Sequence, residues 1–286
     1  MNEVRLAALN IYPVKGCRGI ALAEALAATT GLCASGTADR EWMVVDANAC
    51  FVTQRQCPRL ALVDAATDGD TLWLSAPQEG TGVAPLAIPL ARARTAAGQV
   101  QVWDSRVRGH DEGNAAAAWF TKFLGTEVRL VRFDREMRRH CNPEFAGDSG
   151  AHTMFSDGYP FLVAGQASLD DLNSRLSARG AAALPMNRFR PNIVLEGLDA
   201  FAEDHIDTIE SGGVILRLVK PCVRCRVTTT DQESTAAVGV EPLRTLGEYR
   251  MDERMGGVTF GMNAVVIEGS ARTLVRGMPV RVEYRF

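Results

Sequence analysis

The chain has 286 residues, 47% hydrophobic and 23% charged, which is the balance of a folded globular protein and enough for one large or two medium domains. A formal net charge of -3 gives no surplus of cations to displace counterions from phosphates, so nucleic-acid binding is not expected and any anion site has to be local. No apolar run reaches the length of a membrane span, and MNEVRLAALN lacks the basic start and cleavage site of a signal peptide, so no membrane association and a cytoplasmic location are expected.

The first half reads as short strands. Val4, Leu6 and Ala8 alternate with Arg5, Ala7 and Leu9 ahead of Pro13; EWMVVD and FVTQR flank the link ANAC; LALVDA and TLWLS flank a turn on Asp68, Gly69 and Asp70. PLAIPL and VQVWD suggest a further strand pair. The segment GNAAAAWFTKFLG then predicts a helix with Asn114 as its cap, Ala116, Trp119, Phe120 and Phe123 on one face, and Gly125 at its end.

EVRLVRF restarts the strand pattern, and the polar stretch from Asp134 to Pro160 is long enough for a functional loop or a domain junction, so the expected boundary divides residues 1–133 from 134–286. A helix is expected from Ser168, capped by S-L-D-D, with Leu169, Leu172 and Leu176 on one face and Gly180 beyond it. PNIVLEG, IDTIE turning through Gly212 and Gly213 into VILRLV, CRVTTTD, FGMNAVVIEG and PVRVEY read as strands, with a short helix from Pro242 to Tyr249. The fold class is therefore mainly β (α+β): two β-barrel-like domains with a few covering helices.

Seven irregularly spaced cysteines in a chain of this length imply reduced thiols and packing roles for most. KPCVRC is the exception, placing Cys222 and Cys225 among Lys220, Arg224 and Arg226 with no acid between Ser211 and Thr230. A zinc site would need a second ligand pair, and the adjacent His140 and Cys141 are poorly spaced for one. A thioredoxin-like couple would need a helix after the motif, whereas RVTTTD reads as a strand. What remains is a cation-wrapped thiol suited to metal ligation or anion binding, or two packed cysteines beside a solvated basic edge.

Other cations offer the same choice. YPVKGC puts Lys15 and Gly16 after a strand, as an anion-binding turn or a plain surface turn. NRFRPNIV alternates Arg188 and Arg190 on one face of an extended segment with Phe189 on the other, then places Asn192 past Pro191; the plainer reading is two arginines on an edge strand. Arg40 beside Asp39 also fits a simple salt bridge. The four histidines show no metal or catalytic spacing, and there is no Walker or Rossmann loop and no G-x-S-x-G elbow.

In order along the chain, IYPVKGCRGI, ADREWMVVD, FVTQRQCPRLALV, VWDSRVRGHDEG, SDGYPFLVAGQASLDDLN, NRFRPNIVLEG, KPCVRCRVTTTD, EPLRTLGEYR and FGMNAVVIEG resemble the MOSC-domain proteins that carry an N-terminal MOSC β-barrel domain. That family includes YcbX-like proteins and the mitochondrial amidoxime-reducing component. The resemblance implies a molybdenum cofactor, a pterin whose dithiolene holds the metal, with Cys225 as the protein ligand and catalytic residue. It implies that Lys15, Gly16, Arg40, Arg188, Arg190, Asn192 and Arg224 hold the pterin or its phosphate, with Asp157 near the pterin ring. Gly16 stands where the family commonly has serine, so a backbone amide or water has to replace a hydroxyl donor.

The activity implied is the two-electron reduction of N-hydroxylated small molecules: amidoximes, hydroxylamines and N-hydroxylated base analogues, in a detoxification role. Some relatives continue into a ferredoxin domain with C-x4-C-x2-C spacing, which does not occur here, so a separate ferredoxin, flavoprotein or cytochrome is the expected electron donor. The family is also associated with pyridoxal phosphate by classification alone, and no residue of this chain is assigned to that group. A non-catalytic cofactor carrier or persulfide-transfer module is the alternative function, and a binding protein with purely structural cysteines the third.

Overall fold

The computed structural model describes residues 3–77, 82–91, 95–236 and 239–285. It is mainly β with a few helices. The largest sheet has nine strands: Arg281–Tyr284, Ile206–Ser211, Val214–Val223, Gly257–Glu268, Phe161–Gly165, Ile193–Glu196, Arg5–Ile11 and Ile20–Leu22 in spatial order, with Met251–Asp252 off Gly257–Glu268. Its one parallel pair, Phe161–Gly165 with Ile193–Glu196, needs a crossover, and the helix Gln166–Ala178 supplies it.

This sheet joins the two ends of the chain. Arg5–Ile11 pairs antiparallel with Ile193–Glu196, and Arg272–Val275 pairs with Glu24–Ala28 in a separate four-stranded sheet. Leu6, Leu9, Ile11 and Leu32 are buried in one cluster with Phe161, Ile193, Leu216 and Met262. Each such side chain contributes about 1.5–3 kcal/mol by leaving water, so the first strands are integral to the core of the second half.

At Tyr12 and Pro13 the chain leaves that sheet, and Val14–Lys15 enters a five-stranded one beside Trp42–Val45, Arg129–Phe133, Ser105–Asp111 and Ala97–Val102. The helix Asn114–Leu124 buries Ala116, Trp119, Phe120 and Phe123 against this unit. Gly125, at φ +76°, ends it by donating to Thr121 O at 2.9 Å. Gly113, not Asn114, is the cap, and Asn114 Oδ1 accepts instead from Arg129 Nη2 at 3.1 Å.

Other departures from the expected elements have local causes. FVTQR is not a strand: Phe51 makes only an isolated bridge to Val45, then Gln56 Oε1 accepts from both the N–H and Oγ1 of Thr53, and Pro58 opens a 3-10 turn through Leu62. PLAIPL and VQVWD do not pair: Leu86–Pro89 joins Thr71–Ser75, while Ala97–Val102 makes a hairpin with Ser105–Asp111. The second long helix begins at Gln166, and the Ser168 hydroxyl donates to buried Glu203 at 2.8 Å instead of capping. Among the described residues, no helix is long and apolar enough to cross a membrane.

Candidate functional site

Where the five-stranded sheet meets the nine-stranded one lies a cleft of about 970 Å3, counting the space open to solvent. Lys15, Gly16, Arg40, Asp157, Arg190, Asn192, Arg224 and Cys225 all line it, drawn from five separate stretches of sequence. Arg188 does not line it.

Lys15 and Gly16 sit just past the step between sheets. Lys15 Nζ bonds Asp157 and lies 5.4 Å from the centroid of the Phe51 ring. Trp103 Nε1 donates to the same Asp157 oxygen at 2.8 Å. Partial desolvation in the cleft would raise the Asp157 carboxyl, whose side chain stays 73% exposed, but the Lys15 ammonium, that ion pair's hydrogen bond, Trp103 and Arg40 together hold it well below the usual carboxylate range. Burial pushes Lys15 down, against the opposing pull of Asp157.

Deeper in, two arginines share one aromatic ring. The Arg40 and Arg190 guanidinium carbons lie 4.4 Å and 4.3 Å from the Tyr12 ring centroid, a contact that offsets part of the cost of desolvating two like charges. Buried Asp39 accepts from Arg40 at 2.6 Å and from the Tyr12 N–H at 2.8 Å. Asn192 Oδ1 accepts from Arg40 at 3.2 Å and from the Leu162 N–H at 3.1 Å. Burial, with Arg40 adding to it, lowers Arg190 to about 10, so it stays cationic at neutral pH.

The cysteine wall is the frayed end of Val214–Val223, whose register against Gly257–Glu268 slips between Pro221 and Val223. Cys222 is partly buried and accepts from Arg224 Nη1 at 2.9 Å, while Arg224 Nη2 donates to Phe189 O at 2.7 Å. Cys225 is exposed to the cleft. CRVTTTD does not continue the strand: Arg226–Thr229 is a 3-10 turn, in which Thr228 gives both its N–H and its hydroxyl to Cys225 O at 3.1 and 2.9 Å. A four-residue turn is still not the long helix of a thioredoxin-like couple.

NRFRPNIV is not extended either. Met186–Arg188 is a 3-10 turn and Arg190 has φ +55°, so the two arginines do not share a face. Arg188 is turned inward, 3% exposed by side chain, against Asp231 at 2.8 Å.

Left-handed backbone occurs at four residues that line the cleft: Gly16 at φ +85°, Arg40 at +48°, Trp103 at +51° and Arg190 at +55°. For non-glycine residues such conformations are held only when the surroundings enforce them. Sequence reasoning missed the wall formed by Phe51, Trp103, Ser156 and Tyr159. The aromatic pair, 4.9 Å apart and edge to face, comes from two distant turns that no spacing rule links.

The site is rich in donors without acceptors. Arg224 Nε, Ser156 Oγ and Tyr159 Oη are buried, line the cleft and have no hydrogen-bond partner among the described residues. Orphaned donors beside Lys15, Arg40, Arg55, Arg190 and Arg224 fit a polyanionic ligand. Among the described residues no cluster of three or more His, Cys, Asp or Glu exists to hold a metal ion unaided, so a metal here would come with its own ligands and take one sulfur from the chain.

The MOSC N-terminal beta barrel domain matches residues 3–127 and the MOSC domain matches residues 150–282. The human mitochondrial amidoxime-reducing component 1 is 39% identical over 248 residues, 86% of this chain and 72% of the relative. The human mitochondrial amidoxime reducing component 2 is 36% identical over 249 residues, again 86% and 72%. A solution structure of a protein from Bordetella bronchiseptica covers 39% of this chain and 87% of its own at 28% identity, with a TM-score of 0.32. The chain therefore belongs to the family that joins a MOSC domain to an N-terminal MOSC β-barrel and includes the mitochondrial amidoxime-reducing components.

Proposed function

We propose that this chain is an oxidoreductase that holds a molybdenum cofactor in the cleft and reduces N-hydroxylated small molecules with electrons from a separate donor protein. The observation that carries the reading is the convergence, in one cleft, of an exposed Cys225 with Lys15, Arg40, Arg190 and Arg224. Relatives that are named for amidoxime reduction align across most of the chain.

Cys225 supplies the anionic sulfur for molybdenum. Lys15, Arg40, Arg190 and Arg224 neutralise the phosphate, Asn192 fixes Arg40, and the Gly16 backbone approaches without a side chain in the way. Asp157, kept ionised, accepts from the pterin N–H groups. When bound, the cofactor supplies a two-electron reduction: an N–OH group, two electrons and two protons give N–H and water. The donor returns the electrons.

The test is molybdenum content and turnover of protein from a cofactor-competent host. The native chain should carry near-stoichiometric molybdenum and oxidise reduced viologen only when an amidoxime or hydroxylamine is present. Cys225→Ala should abolish turnover and deplete the metal, while Cys222→Ala should keep both. Bound pterin without substrate-dependent dye oxidation would replace this reading with the carrier or sulfur-transfer function, for which the exposure of Cys225 is equally suitable.

A further inference from the structure

Arg188 is a buried cation in the wrong place for a cleft ligand. Its side chain is 3% exposed, it does not line the cleft, and Nε and Nη1 have no hydrogen-bond partner among the described residues. Its one ion pair among the described residues is Nη2 to Asp231 Oδ2 at 2.8 Å. A buried guanidinium is costly to desolvate, and the Asp231 ion pair offsets part of that cost.

What Asp231 does gives the reason. Its other oxygen, Oδ1, accepts from Glu233 N, Ser234 N and Ser234 Oγ at 2.8–3.0 Å, closing a turn. The next residue, Gln232, is 3% exposed and forms a reciprocal amide pair with buried Gln54, both bonds at 3.0 Å. Gln54 also donates to Gly16 O at 2.6 Å, and Arg18 donates to Gln232 O at 2.9 Å. On the near side, the Arg226–Thr229 turn hangs from the Cys225 carbonyl through Thr228. From Cys225 to Ser234 the chain is thus strapped to the Gly16 turn on one side and to Arg188 on the other.

We propose that Arg188 is a positioning residue for Cys225: it acts through Asp231 to hold the strap that follows the cysteine, and it does not touch what the cleft binds. The role of Cys225 rests on the function proposed above; the strap itself does not.

The experiment uses the full chain with Arg188→Gln, Asp231→Asn, the double variant and Arg188→Lys. Hydrogen exchange of cofactor-free protein, read by mass spectrometry over residues 226–236, should accelerate about tenfold in either of the first two variants, because a hydrogen bond to a charged group is lost from a local opening. The double variant should go no further than the singles, and Arg188→Lys should recover most of the protection. In loaded protein, Arg188→Gln and Asp231→Asn should lose molybdenum equally faster than the native chain.

Unchanged exchange in Asp231→Asn, at a side chain 30% exposed and so safe for the fold, would overturn the proposal even if Arg188→Gln failed to fold. So would molybdenum loss confined to Arg188→Gln, which would make the arginine a direct ligand. A native chain that never loads molybdenum would refute the proposed function and leave the exchange arm to decide the strap.

Discussion

Gly16 shows how much one residue's backbone can demand of its side chain. At φ +85° an added Cβ would also stand 3.3 Å from Leu60 Cδ1, so Gly16→Ser should cost about 1–2 kcal/mol from left-handed backbone alone. Urea unfolding should show this as a lower midpoint at unchanged slope; an unchanged midpoint would mean that the turn relaxes and that glycine is incidental here. Most of the site was legible at this scale, since short motifs name Lys15, Arg40, Asp157, Arg190, Asn192, Arg224 and Cys225, and the fold gathers all of them. Arg188 was misplaced because period-two reasoning assumes extended backbone, and the 3-10 turn through Arg188 with the positive φ at Arg190 breaks that period.

At the scale of elements, strands rich in large apolar residues were readable and alanine-rich ones were not. Ile206–Ser211 and Val214–Val223 meet through Gly212 and Gly213 as their sequence suggests. Residues 20–38 hold four short strands that their alanine-rich sequence does not announce, because alanine has little strand preference of its own; Glu24–Ala28 is held between Gly31–Ala34 and the distant Arg272–Val275. The threonines after Cys225 look like a strand by propensity, yet the hydroxyls of Thr228 and Thr229 bond back to the carbonyls of Cys225 and Arg226 and fold them into a turn.

The hairpin tip at Trp103 makes a testable case of the same conflict. Its φ of +51° suits glycine, so Trp103→Gly relieves about 1–2 kcal/mol of strain while losing an aromatic contact with Phe51 worth about 0.5–1.5 kcal/mol. Stability should therefore stay within about 1 kcal/mol by urea unfolding. Turnover should nevertheless fall, since Asp157 loses a donor and the cleft loses a wall. A large drop in stability with normal turnover would make the indole a structural residue.

For the molecule as a whole, the two matched domains share their strands. Arg5–Ile11 and Ile20–Leu22 complete the sheet of the second half, and Leu6, Leu9 and Ile11 complete its core. Calorimetry of the full chain should show one cooperative transition, and residues 134–286 expressed alone should fail to reach a native state, because they lack those strands and leave an open edge. Two separate transitions, or a folded fragment, would show that the halves are independent.

The shared sheet also sets an order of events during synthesis. Arg5–Ile11 finds Ile20–Leu22, its neighbour on one side, within a few residues, but its neighbour on the other side begins only at Ile193. At about 5–20 residues per second the opening segment waits on the order of 10 s with its apolar face uncovered. The growing chain thus holds that strand without its far-side neighbour for a time, and the cleft cannot close around any guest until Cys225 has emerged, so whatever the cleft takes up enters only once the second half has been made.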